Sequence, residues 1–207
     1  VARDEEGWRE ERGRQEAGGE EGRRQAPGGE DLERPKERRG GRTEAARPIR
    51  RPMRIALVAV GQRQPRWADD AVADYLDRFP ADWAVRLIEV KPEPRDGRPL
   101  ARLLAAEAQR LRAAIPAGFM VVVLDERGDE LDTRELAESL RRWRDAGEAV
   151  AFVIGGADGI DADFKRHARL RLRLSALTLP HALARVLLAE QLYRAWSILA
   201  GHPYHRD

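Results

Sequence analysis

The chain has 207 residues, with 38 basic side chains against 36 acidic ones and no cysteine. That length holds one domain of about 150 residues plus a tail, and the missing thiol excludes a disulfide framework, a thiolate zinc site and a cysteine nucleophile, which fits a reducing, cytoplasmic setting. A formal charge of +2 excludes a protein that coats nucleic acid by bulk charge, and apolar runs such as Phe119 to Leu124 are far too short to span a bilayer.

From Val1 to Pro52 the chain is Gly, Arg and Glu with scattered Pro, and Val1, Trp8, Leu32 and Ile49 are almost its only sizeable apolar residues. Such a segment cannot offset its ordering entropy, so residues 1–52 are expected to be a disordered N-terminal extension, a solvated polyampholyte of mixed sign. Its acidic opening, Val1-Ala2-Arg3-Asp4-Glu5-Glu6, is expected to be neither a secretory signal nor a transit peptide. Because residue 1 is Val, Met53 stands out as a natural start; a genuine extension is the alternative.

Met53 to Val60 is a short apolar run ending at Gly61, which predicts a buried strand. Trp67 to Phe79 places Val72, Tyr75, Leu76 and Phe79 at helical spacing before Pro80 stops it. Trp83 to Val90 reads as a strand, Arg98 to Ile115 as a helix, and Phe119 to Leu124 as a strand after Pro116-Ala117-Gly118. Thr133 is the expected N-cap of a helix through Leu136, Leu140 and Trp143, closed by Gly147. Ala149 to Ile154 follows as a strand, then a short helix Ala162 to Ala168, a strand Leu170 to Leu174 and a long helix Leu183 to Leu199. Apolar strands separated by helices predict an α/β fold, a parallel sheet with helices on both faces.

Three segments carry chemistry. Ile154-Gly155-Gly156-Ala157-Asp158-Gly159 joins a strand to a helix, where glycines let a ligand approach the backbone; a plain tight turn is the alternative. It is neither a dinucleotide fingerprint nor a P-loop. Leu174-Ser175-Ala176-Leu177-Thr178-Leu179-Pro180-His181 reads as a shaped loop whose backbone groups and Leu walls suit a flat heterocycle, or as plain core. The end of the chain, His202-Pro203-Tyr204-His205-Arg206-Asp207, crowds imidazole, phenol and guanidinium together, or is a frayed tail. Two His without a further ligand do not make a metal site. His167, in a charged stretch, is expected on the surface, and Glu190, Tyr193 and Arg194 share one side of the last helix, for an ion pair or a helix–helix contact, with phosphate contact by Arg194 as the alternative.

Taken in order, Leu57 to Gly61, Leu124-Asp125, Ile154 to Gly156, Leu174 to His181, Glu190 to Ile198 and His202 to Arg206 resemble the bacterial rRNA large-subunit methyltransferase H family, of the SPOUT class of pseudouridine N3-methyltransferases. The resemblance runs from Met53 to the end. It implies a SPOUT-type parallel sheet whose C-terminal part forms a trefoil knot, an exception to the usual avoidance of knots. It implies S-adenosyl-L-methionine as cofactor, held by Leu124, Gly155, Leu174, Ser175, Ala176, Leu177, Thr178 and Leu179. It further implies a homodimer acting on a pseudouridine in a 23S rRNA hairpin loop, on the assembled ribosome, with no membrane and no metal.

Methyl transfer from a sulfonium needs alignment more than covalent catalysis, so the lack of a nucleophile is no obstacle. The N3 imide proton has to leave, which calls for a positioned acceptor and for a cation near the base oxygens. His205 and Arg206, with Tyr204 as stacking or hydrogen-bonding partner, are the catalytic candidates. Two rivals stay open: a non-catalytic RNA-binding module, marked by cofactor binding without turnover, and a nucleotide-binding enzyme using the Gly155 loop, marked by preference for a phosphorylated ligand.

Overall fold

The computed structural model describes residues 52–205. The expectation for residues 1–52 falls, apart from Pro52, outside the described residues, and so does Arg206. The elements alternate: β1 (Met53–Val60), α1 (Arg66–Asp77), β2 (Trp83–Val90), α2 (Leu100–Ala114), β3 (Phe119–Glu130), α3 (Thr133–Ala146), β4 (Ala149–Ile154), α4 (Ala162–Arg166), β5 (Leu170–Arg173) and α5 (His181–Ala200). All five strands run parallel in the order β2-β1-β4-β3-β5.

The period of two along each strand divides the core between the two faces. Ile55, Leu57, Phe152 and Ile154 point to one side, where Val72 of α1, Leu140 of α3 and Leu188 and Leu192 of α5 cover them. Ala56, Val58, Ala151 and Val153 point to the other, under Leu111 of α2 and Phe164 beside β5. Because neither face meets water, β1 and β4 are apolar almost throughout rather than alternating. Each fully buried Leu, Ile or Phe contributes about 1.5–3 kcal/mol relative to exposure.

The ends of α1, α2, α4, β5 and α5 lie within two residues of the sequence reading, and two further differences have a specific cause. The N-cap of α3 is Asp132, not Thr133: its carboxylate accepts from Glu135 N (2.7 Å) while Glu135 accepts from Asp132 N (2.8 Å). That reciprocal capping box satisfies two otherwise free amides, which a Thr one position later cannot do. Thr133 instead donates from its hydroxyl to Gln191 Oε1 of α5 (2.8 Å). β3 runs six residues beyond Leu124 because Asp129 and Glu130 pair with Leu172 and Arg173 after a register shift. No helix among the described residues is long and apolar enough to cross a membrane.

Candidate active-site cleft

The chain leaves the sheet three times at the carboxyl ends of β3, β4 and β5, and the three exits enclose a cleft of about 650 Å³. A parallel sheet places ligand sites at this end, where loops gather and backbone amides are free. The volume lies within the usual range for small-molecule sites.

The first wall is the irregular stretch of β3. Between Leu124 and Asp129 the ladder to β5 is broken, and Leu124, Asp125 and Glu126 face the cleft. The Asp125 carboxylate is buried, accepts from Arg127 N (3.2 Å) and pairs with Lys165 Nζ (3.2 Å). Gly128 closes the irregularity, since a Cβ there would stand 2.6 Å from the Arg171 carbonyl.

The second wall is the turn after β4, residues 154–160. A Cβ on Gly155 would meet the Gly159 carbonyl at 2.6 Å and collide with Ile160. The demand for glycine therefore comes from the turn closing on itself, ahead of any ligand. Gly159 N donates back to Gly156 O (3.0 Å), and Gly159 has φ +87°, a left-handed conformation that glycine adopts without strain. Asp158 pairs with Arg95 at 2.6 Å, anchoring the turn from outside.

The third wall is the segment from Leu174 to Pro180. Ser175 Oγ accepts from Leu177 N (2.9 Å) and its carbonyl accepts from Arg173 Nε (3.0 Å), the local side-chain turn that hydroxyl residues favour. Leu174, Ser175, Leu177, Thr178 and Leu179 line the cleft together with Leu124 and Gly155, whereas Ala176 lies on the same loop, exposed and outside the wall.

Two residues beyond that loop shape the cleft without having been assigned a role from sequence. His181, the first residue of α5, donates from Nε2 to the Gly155 carbonyl (2.6 Å) and lies among the lining residues. A carbonyl can only accept, so Nε2 carries the proton. Burial, reinforced by the nearby Arg185 charge, lowers the His181 pKa from its ordinary value, and the ring stays neutral near pH 7. Arg185, one turn on, is 1% exposed; its Nη1 donates to Glu89 (2.8 Å) and its Nη2 to Val60 O (3.2 Å) and Gly61 O (2.5 Å). Together they fix the start of α5 against the ends of β1, β2 and β4. Only the position of His181 next to the Leu174 to Pro180 run hinted at this.

The chain end is elsewhere. Tyr204 donates from its hydroxyl to Glu190 Oε1 (3.1 Å), stands 3.3 Å from the Tyr75 hydroxyl and packs edge-on to Tyr193 with ring centroids 4.8 Å apart. Burial and the hydrogen bond with Tyr75 raise its pKa well above the usual phenol value, so it remains a donor. Arg194 pairs with Glu190 (2.6 Å) and lies over the Tyr204 ring, which commits its charge internally. His205 Nδ1 lies 3.4 Å from Ser197 Oγ. His167 is exposed beside Asp163. Among the described residues no group of three or more His, Asp or Glu is placed to hold a metal.

The chain end folds back along α5, with His205 beside Ser197 and Tyr204 reaching Glu190, so at about 1.5 Å per residue roughly 24 Å of helix separates the His205 contact from His181 at the cleft within one subunit.

Residues 53–205 match the family model described as "Predicted SPOUT methyltransferase". The chain is 57% identical over 155 residues to the ribosomal RNA large subunit methyltransferase H of Acidovorax sp. (strain JS42), covering 75% of this chain and all of that protein. It is 59% identical over 156 residues to the protein of the same name from Methylibium petroleiphilum, with the same coverage. A crystal structure of a "Probable Methyltransferase" from Bordetella pertussis Tohama I aligns at 19% identity with a TM-score of 0.44, over 70% of this chain and 93% of that one.

Proposed function

This chain belongs to the SPOUT methyltransferase family, and we propose that it methylates N3 of a pseudouridine in a 23S rRNA hairpin loop of the assembled ribosome, in the cytoplasm, using S-adenosyl-L-methionine. The observation that carries the cofactor reading is the three-walled cleft. Its apolar sides, Leu124, Ile154, Leu174, Leu177 and Leu179, suit the faces of a purine, and its loop backbone offers donors and acceptors to the edge. Its charged lining is Asp125, Glu126 and Asp158 against Lys165 and Arg173, a balance that suits a cationic cofactor better than a polyphosphate and disfavours the nucleotide-binding rival. Leu124, Gly155 and the run Leu174 to Leu179 would hold it, Ala176 through the loop it belongs to. When bound, the cofactor supplies a methyl group activated by its positive sulfur.

The chain's own residues have to bind the base, remove the N3 proton and meet the charge that then spreads to the base oxygens. His205 is the proposed acceptor. The Ser197 hydroxyl donates to the Arg194 carbonyl (2.7 Å), so toward His205 Nδ1 its oxygen can only accept. Nδ1 then carries the ring proton, and Nε2 keeps the lone pair a base needs. Arg206 would stabilise the developing negative charge. Tyr204, held protonated by Glu190 and Tyr75, serves as stacking or hydrogen-bonding partner.

The separation of about 24 Å along α5 between the His205 contact at Ser197 and the cleft favours a homodimer in which the chain end of one subunit serves the cleft of the other. Leu177 and Leu183, around the start of α5, are 77% and 41% exposed and offer apolar surface for such a contact. On the same reading the C-terminal segment forms a trefoil knot. It is supported by the return of the chain from β5 at the sheet edge to its middle, where α5 reaches Val60 and Gly61.

Mass spectrometry of rRNA nucleosides from cells lacking this protein tests the reading. An N3-methylated pseudouridine should vanish from 23S rRNA and return when the chain is supplied again; an unchanged nucleoside profile would overturn it.

A further inference from the structure

Next to the cleft, on the outer side of α4 and the edge strand β5, lies a second hollow of about 540 Å³ whose lining includes Lys165, Arg166, Arg169 and Arg171 against the single carboxylate of Asp129. Lys165 lines both hollows, so the two are adjacent. We propose that this basic hollow is a docking groove for the RNA sugar-phosphate backbone, gripped by Arg169 and Arg171, which leads the substrate strand to the mouth of the cleft. The proposal rests on the reading that the chain modifies rRNA, and it adds the surface by which the RNA is held.

The charges in the groove are not equivalent. Lys165 is paired with Asp125 (3.2 Å), and Arg166 with Asp163 (2.9 Å). Arg169 and Arg171 are exposed, and among the described residues neither has an ion-pair partner. Most other arginines near the sheet are spent within the protein: Arg144 on Asp82, Arg173 on Glu130 and Arg185 on Glu89. In a chain with a formal charge of only +2, two unspent guanidinium groups, Arg171 on β5 and Arg169 in the bend just before it, form a local excess. Both side chains line the same hollow, so one stretch of sugar-phosphate backbone lying in it can meet both. Guanidinium also matches phosphate oxygens bidentately. Arg169 N donates to Val121 O (2.8 Å), so the backbone under the pair is held by the sheet rather than by a loose loop.

The test measures binding of the full chain to 70S ribosomes across a salt series, together with S-adenosyl-L-methionine affinity by calorimetry and methyl transfer to rRNA. Each phosphate contact steepens the logarithmic salt dependence by about 0.7–0.9. Arg169→Ala with Arg171→Ala should therefore flatten the slope by about 1.5 and raise the apparent KM for ribosomes roughly tenfold, with cofactor affinity unchanged. Arg169→Lys with Arg171→Lys should keep most of the slope. An unaltered slope and KM in the alanine pair would overturn the groove. So would self-association of that variant with ribosome affinity per monomer unchanged, since the arginines would then only guard the sheet edge. If the wild type transfers no methyl group to rRNA, the functional reading falls, while the slopes still report separately on the groove.

Discussion

His181 Nε2 donates to the Gly155 carbonyl across 2.6 Å, so the turn after β4 and the first residue of α5, two walls of the cleft, are joined by one neutral imidazole. Burial and then the Arg185 charge hold the His181 pKa below 6.5. As pH falls through about 6.5 the unfolded chain takes up a proton that the folded chain resists, so stability is fully present above that value and declines below it. Denaturation midpoints should drop between about pH 7.5 and about pH 5.5 in the wild type and less steeply in His181→Gln, whose amide can still donate to Gly155. Parallel pH dependences in the two proteins would remove His181 from the acid response.

The glycines of the turn should differ in tolerance. A Cβ on Gly155 meets the Gly159 backbone at 2.6 Å, whereas a Cβ on Gly156 meets chiefly the Glu107 carboxylate at 2.9 Å, the end of a side chain that can swing away. Gly155→Ala should distort the turn at a cost of about 1–3 kcal/mol and weaken S-adenosyl-L-methionine binding roughly tenfold or more, with Gly156→Ala milder. Titration calorimetry on both variants decides, and equal affinities would show that the turn yields more easily than its packing indicates.

Arg185 is the buried group on which the start of α5 depends. Arg185→Met would leave Glu89 without its ion pair and two backbone carbonyls, Val60 and Gly61, without a donor. Removing one side of such a network costs about 3 kcal/mol even with Glu89 partly solvated. Urea unfolding should show that loss, and a change below about 1 kcal/mol would mean that water replaces the guanidinium.

What could be read in advance follows from the range of the forces involved. β1 and β4 were legible to the residue because burial on both faces writes a continuous apolar run into a strand. The extension of β3 was not, because Asp129 and Glu130 are polar and join the sheet only through pairing with a distant strand. The cap of α3 was missed by one residue because Asp132 and Thr133 are both good caps, and only the reciprocal bond to Glu135 separates them. Leu124, Gly155 and the Leu174 to Leu179 loop came from the resemblance, and the fold gathers them at one end of the sheet. Arg185 was silent in sequence and His181 was marked only by its place after the Leu174 to Pro180 run, since their partners, Gly155, Glu89, Val60 and Gly61, are named only by the tertiary fold.

The residues from Met53 on supply two core clusters of their own, and residues 1–52 offer few apolar side chains. A chain beginning at Met53 should therefore fold, bind S-adenosyl-L-methionine and methylate ribosomes as the full chain does. Side-by-side calorimetry and turnover check this, and lost cofactor affinity in the shorter chain would give the segment a role.

The proposed site is composite, so its halves should be separable. Changing His205 to Ala should leave cofactor affinity nearly intact and slow methyl transfer on the order of a hundredfold, the usual contribution of a positioned proton acceptor. Changing Ser197 to Ala should act through His205: with Nδ1 freed from the Ser197 oxygen, both tautomers become available, so turnover falls less than in His205→Ala. Gly155→Ala weakens the other half. If the chain end serves the partner's cleft, a heterodimer of Gly155→Ala with His205→Ala contains one doubly damaged site and one intact site, the latter built from the normal cleft of the His205 variant and the normal chain end of the Gly155 variant. Random exchange in an equal mixture makes half the dimers mixed, so about a quarter of wild-type activity should appear where each variant alone has little. With heterodimers verified by mass and the cofactor concentration set between the affinities of the wild type and the Gly155 variant, a mixture no more active than its parents would return His205 to its own subunit or to RNA docking.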